Sequence, residues 1–157
     1  MHEIDWTLWS DWVALDSIDW TQVPQTPGAY IVAANQPIHR AVGTDPHGYL
    51  DVGESVNLRN RLRSFRRCIT ERGRTGHMAG WRFAFFRFER QFPHATLRVR
   101  WREADTKEDA YAAEGEVLFD YVGRHCELPP LNYKFNWQVF EEKGWDILDQ
   151  ARGAESR

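Results

Sequence analysis

The chain has 157 residues, 42% hydrophobic and 14% aromatic, which is enough apolar material for one domain with a real core and excludes a disordered chain. The net charge is only −3, and no apolar run approaches the roughly 20 residues that span a bilayer, so no membrane partner is expected. Cys68 and Cys126 are too few for a disulfide framework or a Cys-only zinc site, and the start Met1-His2-Glu3-Ile4-Asp5-Trp6 lacks the basic-then-apolar form of a signal peptide; a cytoplasmic setting is expected.

Trp6, Trp9, Trp12 and Val13 stand at helical spacing, with Asp5 and Ser10 as candidate N-caps, so an amphipathic helix is predicted over 5–20. Its tryptophans are expected to pack on the domain; stacking on nucleobases is the weaker alternative. Pro24 and Pro27-Gly28 break the chain. Gly28 to Ala34 is apolar and predicts a buried strand, and Ile38 to Gly43 a second strand or extended arm. Thr44 to Gly48 reads as a turn. Tyr49 to Gly53 is the next strand, ended by Gly53, with Ser55 placed to cap a helix. On that helix Leu58, Leu62, Phe65 and Ile69 share one face, and Arg59, Arg63, Arg66 and Arg67 mostly occupy the others. Arg61 sits beside the apolar stripe. A half-buried guanidinium there needs a carboxylate or a phosphate as partner.

Gly73 to Gly80 reads as a polar loop carrying His77. Met78, Trp81, Phe85, Phe88 and Phe92 favour a helix over 78–92, although Trp81, Phe83 and Phe85 also alternate like a strand. Leu97, Val99 and Trp101 alternate with Arg98, Arg100 and Arg102, a half-buried strand. Thr106 with Asp109 resembles an acidic capping box and opens a long helix to about His125, with Ala110, Ala113, Val117, Leu118 and Tyr121 on its apolar face. Glu114 projects close to the core side of that helix. Pro129-Pro130 ends the segment, and Phe135, Trp137, Phe140 and Trp145 are expected to pack as a closing arm over 133–157.

The charge is unevenly spread. Every basic residue between Arg59 and Arg102 is an arginine, and the only acids there are Glu71 and Glu89. Acids gather at the two ends. Local charge decides where a phosphate backbone settles, and arginine is the residue type suited to bidentate phosphate contact. Arg59, Arg63, Arg66, Arg67, Arg72 and Arg74 are the candidate contacts to nucleic acid; a solvated face without a partner is the plain alternative.

Two short strands carrying Gly28-Ala29-Tyr30 and Asp51-Val52-Gly53, followed by a helix carrying Arg61, bring a hydroxyl, a carboxylate and a guanidinium together, which suits chemistry on a phosphate. In this the chain resembles the GIY-YIG nuclease family. Gly28-Ala29-Tyr30 stands where the family has Gly-Ile-Tyr, and Asp51-Val52-Gly53 where it has Tyr-Ile-Gly. Ser55, Leu58, Arg61 and Leu62 match the family's small hydroxyl residue, helix leucine, catalytic arginine and following apolar residue. Ala110 to Glu114, with Val117-Leu118, matches its alanine-to-glutamate helix, and Leu128-Pro129-Pro130-Leu131-Asn132 its closing proline–asparagine segment.

The resemblance covers about 27–132 and implies a single α+β, sandwich-like domain over 1–157: a small antiparallel sheet flanked by helices, with one shallow site. It also implies a metal-dependent endonuclease in which Glu114 holds Mg2+ or Mn2+, Arg61 stabilises charge on phosphorus, and Tyr30 acts as base or relay. His77 falls where family members often carry a histidine, and Asn132 is expected to fix the loop after the prolines.

The main departure is Asp51, in place of the second family tyrosine. Asp51 either accepts the water's proton, directly or through Tyr30, or joins Glu114 on the metal; otherwise it only pairs with Arg61 and the site is inactive. Tyr49, two residues earlier, is expected on the same strand face as Asp51 and is a candidate for the missing hydroxyl. The expected partner is nucleic acid, DNA ahead of RNA, with loops, chain ends or a second protein supplying specificity. The alternatives are an RNA-directed or repair nuclease and a catalytically degenerate binding module.

Overall fold

A computed structural model describes residues 4–71 and 73–134. In chain order the strands are β1 (Val13–Ala14), β2 (Gly28–Ala33), β3 (Ile38–His39), β4 (Thr44–Asp45), β5 (Tyr49–Ser55) and β6 (Arg98–Glu103); the helices are α1 (Leu58–Thr70), α2 (Met78–Phe85) and α3 (Lys107–His125). The main sheet is antiparallel in the order β1-β6-β2-β5, and β3 with β4 forms a separate two-stranded hairpin. This is an α+β fold with a small antiparallel sheet flanked by helices. Among the described residues no helix is long and apolar enough to cross a membrane.

β2 is buried along its whole length because both faces of the sheet are covered. Tyr30 and Val32 point to one face, where Leu58, Leu62 and Phe65 of α1 and Phe83 of α2 pack with Leu50 and Trp101. Ala29, Ile31 and Ala33 point to the other, against Ala113, Val117, Leu118 and Tyr121 of α3. The apolar stripes predicted for α1 and α3 are therefore the buried ones. Thr106 caps α3 by accepting from the Asp109 amide, as the sequence predicts.

The N-terminal segment departs from expectation. Instead of a helix over 5–20 it forms two single 3-10 turns, Trp6–Leu8 and Leu15–Ser17, with β1 between them. The reason lies in its backbone partners. Ser10 N–H donates to Trp101 O and Leu15 N–H to Leu97 O, so the hydrogen bonds that would build the helix are spent on β6. The tryptophans do pack on the domain: the Arg100 guanidinium lies 5.0, 5.9 and 5.4 Å from the Trp6, Trp9 and Trp12 ring centroids.

Four smaller corrections bear on the site. β5 continues past Gly53 to Ser55. Asn57, not Ser55, caps α1, its side chain accepting from the Asn60 amide; Ser55 Oγ instead accepts from Asn57 N–H. The helix expected over 78–92 stops at Phe85 and is followed by a 3-10 turn at Phe88–Arg90. Only Ile38–His39 of the expected 38–43 strand pairs, and Thr44–Asp45, read as turn, is its partner. The closing arm lies outside the described residues beyond Lys134. Its entry is well held: Leu131 N–H donates to Leu50 O at 2.8 Å. The Asn132 carboxamide accepts from Val52 N–H at 2.9 Å and donates to Val52 O at 2.7 Å. Asn132 thus fixes the segment after the prolines against the outer edge of β5.

Candidate active site

Five parts of the fold converge on one open cleft of about 160 Å³. β2 supplies Tyr30. β5 supplies Asp51, Gly53 and Glu54. α1 and the start of α2 supply Arg61 and His77, and α3 supplies Glu114. Tyr30, Asp51, Arg61, His77 and Glu114, picked from sequence, all line it.

Tyr30 is the hub. Its ring is 1% exposed, and its hydroxyl lies 3.1 Å from Asp51 Oδ2 and 2.9 Å from His77 Nε2. Gly53 stands opposite Tyr30 in the β2–β5 ladder, and a Cβ there would collide with the Tyr30 hydroxyl. Burial drives the Tyr30 pKa well above its usual value, and the Asp51 charge adds to this, while Arg61 opposes it. Burial likewise pushes Asp51 up to about 6, against the hydrogen bond from Tyr30 and the charges of Arg61 and Arg82. His77 is held well below its usual value, first by burial and then by the Arg61 charge, so the ring is neutral.

Arg61 donates through Nη1 to Gly76 O at 3.3 Å, tying α1 to the loop before α2. Its Nε is buried and has no partner among the described residues. Burial acts to lower its pKa, but interaction with the Tyr30 hydroxyl, a hydrogen bond included, and the carboxylates of Asp51 and Glu54 outweigh this and raise it. The guanidinium is thus a charged donor with capacity left at the cleft wall.

Tyr49 does not reach the site. Ala33 pairs with Tyr49 and Val32 with Asp51, so Leu50 is bulged out of register. The extra residue reverses the alternation, and Tyr49 faces α3, its ring stacked on Tyr121 at 6.0 Å, while Asp51 faces Tyr30. Tyr49 therefore does not supply a hydroxyl to the cleft.

Two lining or neighbouring residues were not anticipated. Glu54 was read as lying beyond a strand that in fact continues through it. Arg82 donates to Leu131 O at 3.0 Å and its charge acts on Asp51; nothing in the sequence separates it from the other arginines.

The arginines proposed as nucleic-acid contacts are largely engaged within the fold. Arg59 donates to Val23 O and Thr21 O, and Arg66 to Asp16 O. Arg63 lies 5.4 Å from the Trp20 ring centroid. Arg67 and Arg74 pair with Glu71, both well exposed. Arg72 lies outside the described residues.

For a divalent cation the donor set is small. Glu114 is half-buried at the cleft, and among the described residues no group of three His, Cys, Asp or Glu converges. One protein carboxylate, with waters and phosphate oxygens completing an octahedron, fits Mg2+ or Mn2+, whereas structural zinc needs four protein ligands. Asp51 Oδ2 is committed to Tyr30 and is not needed for this set. No family model, no curated protein and no solved structure matches the chain.

Proposed function

We propose that the chain is a metal-dependent phosphodiesterase of the GIY-YIG type that cuts DNA by in-line attack of water. The observation that carries this reading is the convergence in one cleft of Tyr30, Asp51, Arg61, His77 and Glu114, drawn from separate segments in the order the family resemblance implies. Glu114 would hold Mg2+ or Mn2+, which when bound neutralises the phosphate and stabilises the leaving oxygen. Arg61 donates to the non-bridging oxygens as negative charge grows on them.

Tyr30 and Asp51 both line the cleft, with the Tyr30 hydroxyl 3.1 Å from Asp51 Oδ2. As the water oxygen bonds to phosphorus, its proton passes to Tyr30 Oη and the Tyr30 proton passes to Asp51 Oδ2. The bond to the leaving oxygen breaks and that oxygen departs with the electron pair. A free phenolate is never needed, which matters because burial makes one costly. Asp51, which stands where the resemblance has a second tyrosine, thus takes the water's proton through Tyr30.

The deciding experiment is a cleavage assay on plasmid, single-stranded DNA and RNA, each with and without Mg2+ or Mn2+. Metal-dependent cleavage of DNA is expected. No cleavage of any substrate with either metal would favour the second reading, a non-catalytic nucleic-acid- or protein-binding module. One observation points that way: the Tyr30 hydroxyl is already engaged by both Asp51 and His77.

A further inference from the structure

His77 is held at both ends. It is the N-cap of α2, and its Nδ1 accepts from the Gly80 backbone N–H at 3.3 Å. A backbone amide can only donate, so Nδ1 carries no proton. The ring is 1% exposed, in edge contact with Phe65 on one side and Tyr30 on the other. The charged groups facing it are Arg61, which disfavours a second positive charge, and, beyond the Tyr30 hydroxyl, Asp51. A neutral imidazole with a bare Nδ1 bears its proton on Nε2. That nitrogen lies 2.9 Å from Tyr30 Oη and must donate to it. Tyr30 then accepts from His77, and its own proton points to the acceptor 3.1 Å away, Asp51 Oδ2.

We infer that the N-terminus of α2 sets the direction of a buried proton chain, His77 to Tyr30 to Asp51, so that His77 is a positioning donor and Asp51 the proton sink of that chain. The functional consequence rests on the phosphodiesterase reading; the hydrogen-bond direction does not. His77 cannot serve as the base. It holds the Tyr30 hydroxyl with one lone pair occupied and its proton already aimed at Asp51. The α2 cap and the chemistry are thereby coupled through one imidazole.

Two experiments test this. Nitrogen-15 NMR of the imidazole at neutral pH, on the full chain, should show a protonated Nε2 and a bare Nδ1. The opposite tautomer, or a doubly protonated ring, overturns the inference whether or not the protein cleaves anything. The second uses two variants in single-turnover cleavage. His77→Asn keeps an acceptor for the α2 amide but withdraws the donor to Tyr30, whereas His77→Gln keeps an N–H at the Nε2 position and caps poorly. The expected order is thus inverted between readouts. His77→Asn should melt closer to wild type yet cleave about 100-fold more slowly, and His77→Gln should be less stable yet at least about tenfold faster than His77→Asn. Rates that follow stability instead would reduce His77 to a helix cap. If wild-type protein cuts no substrate, the phosphodiesterase reading fails while the NMR result still decides the direction of the chain.

Discussion

Gly53 lies directly across the β2–β5 ladder from Tyr30, and the space its missing side chain leaves is filled by the Tyr30 hydroxyl. Backbone freedom is not the issue; close approach is. Gly53→Ala should displace the Tyr30 ring from Asp51 and His77 while leaving the sheet paired. The expected cost is about 1–3 kcal/mol in stability, from overpacking a buried site, with a far larger loss of cleavage, about 100-fold or more. Thermal unfolding and single-turnover rates on the same preparation check this. A variant with wild-type activity would show that Tyr30 need not stand where it does.

Asp51 makes activity and stability respond to pH in opposite senses. As a proton acceptor it must be ionised, so the cleavage rate should rise with pH through about 6 and then level. For stability the sign is reversed. The folded pKa is raised above the unfolded value of 3.8, so the fold favours the protonated acid. That stabilisation is present below about pH 4 and is lost as pH rises through about 6, to a total of about 3 kcal/mol. Asp51→Asn should abolish the acid limb of the rate profile. It should also gain stability relative to wild type between pH 4 and pH 8, measured by urea unfolding at both pH values. Equal pH dependence in the two proteins would remove Asp51 as the sink.

Glu114→Gln tests the metal. The side chains are nearly isosteric, but the amide carries no charge to hold a cation. Cleavage should fall below detection, and Mn2+ affinity measured by calorimetry or paramagnetic relaxation should fall with it. Full metal-dependent cleavage by this variant would transfer the ligand role to Glu54.

The arginines of α1 divide into two groups with separable phenotypes. Arg59 is part-buried and holds the carbonyls of Val23 and Thr21, so Arg59→Ala should lower the melting temperature. Among the described residues Arg67 is paired with exposed Glu71 alone, and Arg67→Ala should leave stability within about 0.5 kcal/mol of wild type. If Arg67 meets a phosphate, the slope of log affinity on log salt should become shallower by about 0.9 on duplex DNA. An unchanged slope would confine any nucleic-acid contact to the cleft.

What could be read from sequence followed the length and regularity of each element. α3 and β6 were legible because a strong period and, for α3, the Thr106–Asp109 cap agree with the final packing. That Tyr30, Arg61 and Glu114 line one cleft agrees with the order in which the sequence placed them, each on a strand or helix of strong period. The N-terminal helix was misread because tryptophans at helical spacing say nothing of an open β6 edge competing for the same backbone. Tyr49 was misplaced because a one-residue bulge at Leu50 leaves no mark in composition yet reverses the face of every residue beyond it. The engagement of Arg59 and Arg66 with carbonyls of the 16–23 segment depends on contacts remote in sequence, which local charge counting cannot see.

The return of Leu131 and Asn132 onto β5 has a consequence for how copies of this protein behave toward one another. β5 is an outer strand, and it carries Asp51 and Glu54 into the cleft. Left bare, its row of amides and carbonyls would be a template for any extended chain, including another copy's. The Leu131 amide and the Asn132 carboxamide occupy three of those groups. Asn132→Leu should therefore do more than loosen a loop: it should lower stability by about 1–3 kcal/mol for two buried groups left unsatisfied, and make the protein self-associate through β5. Light scattering against concentration would detect this, and a strictly monomeric variant would mean that the neighbouring chain alone is enough to close the edge.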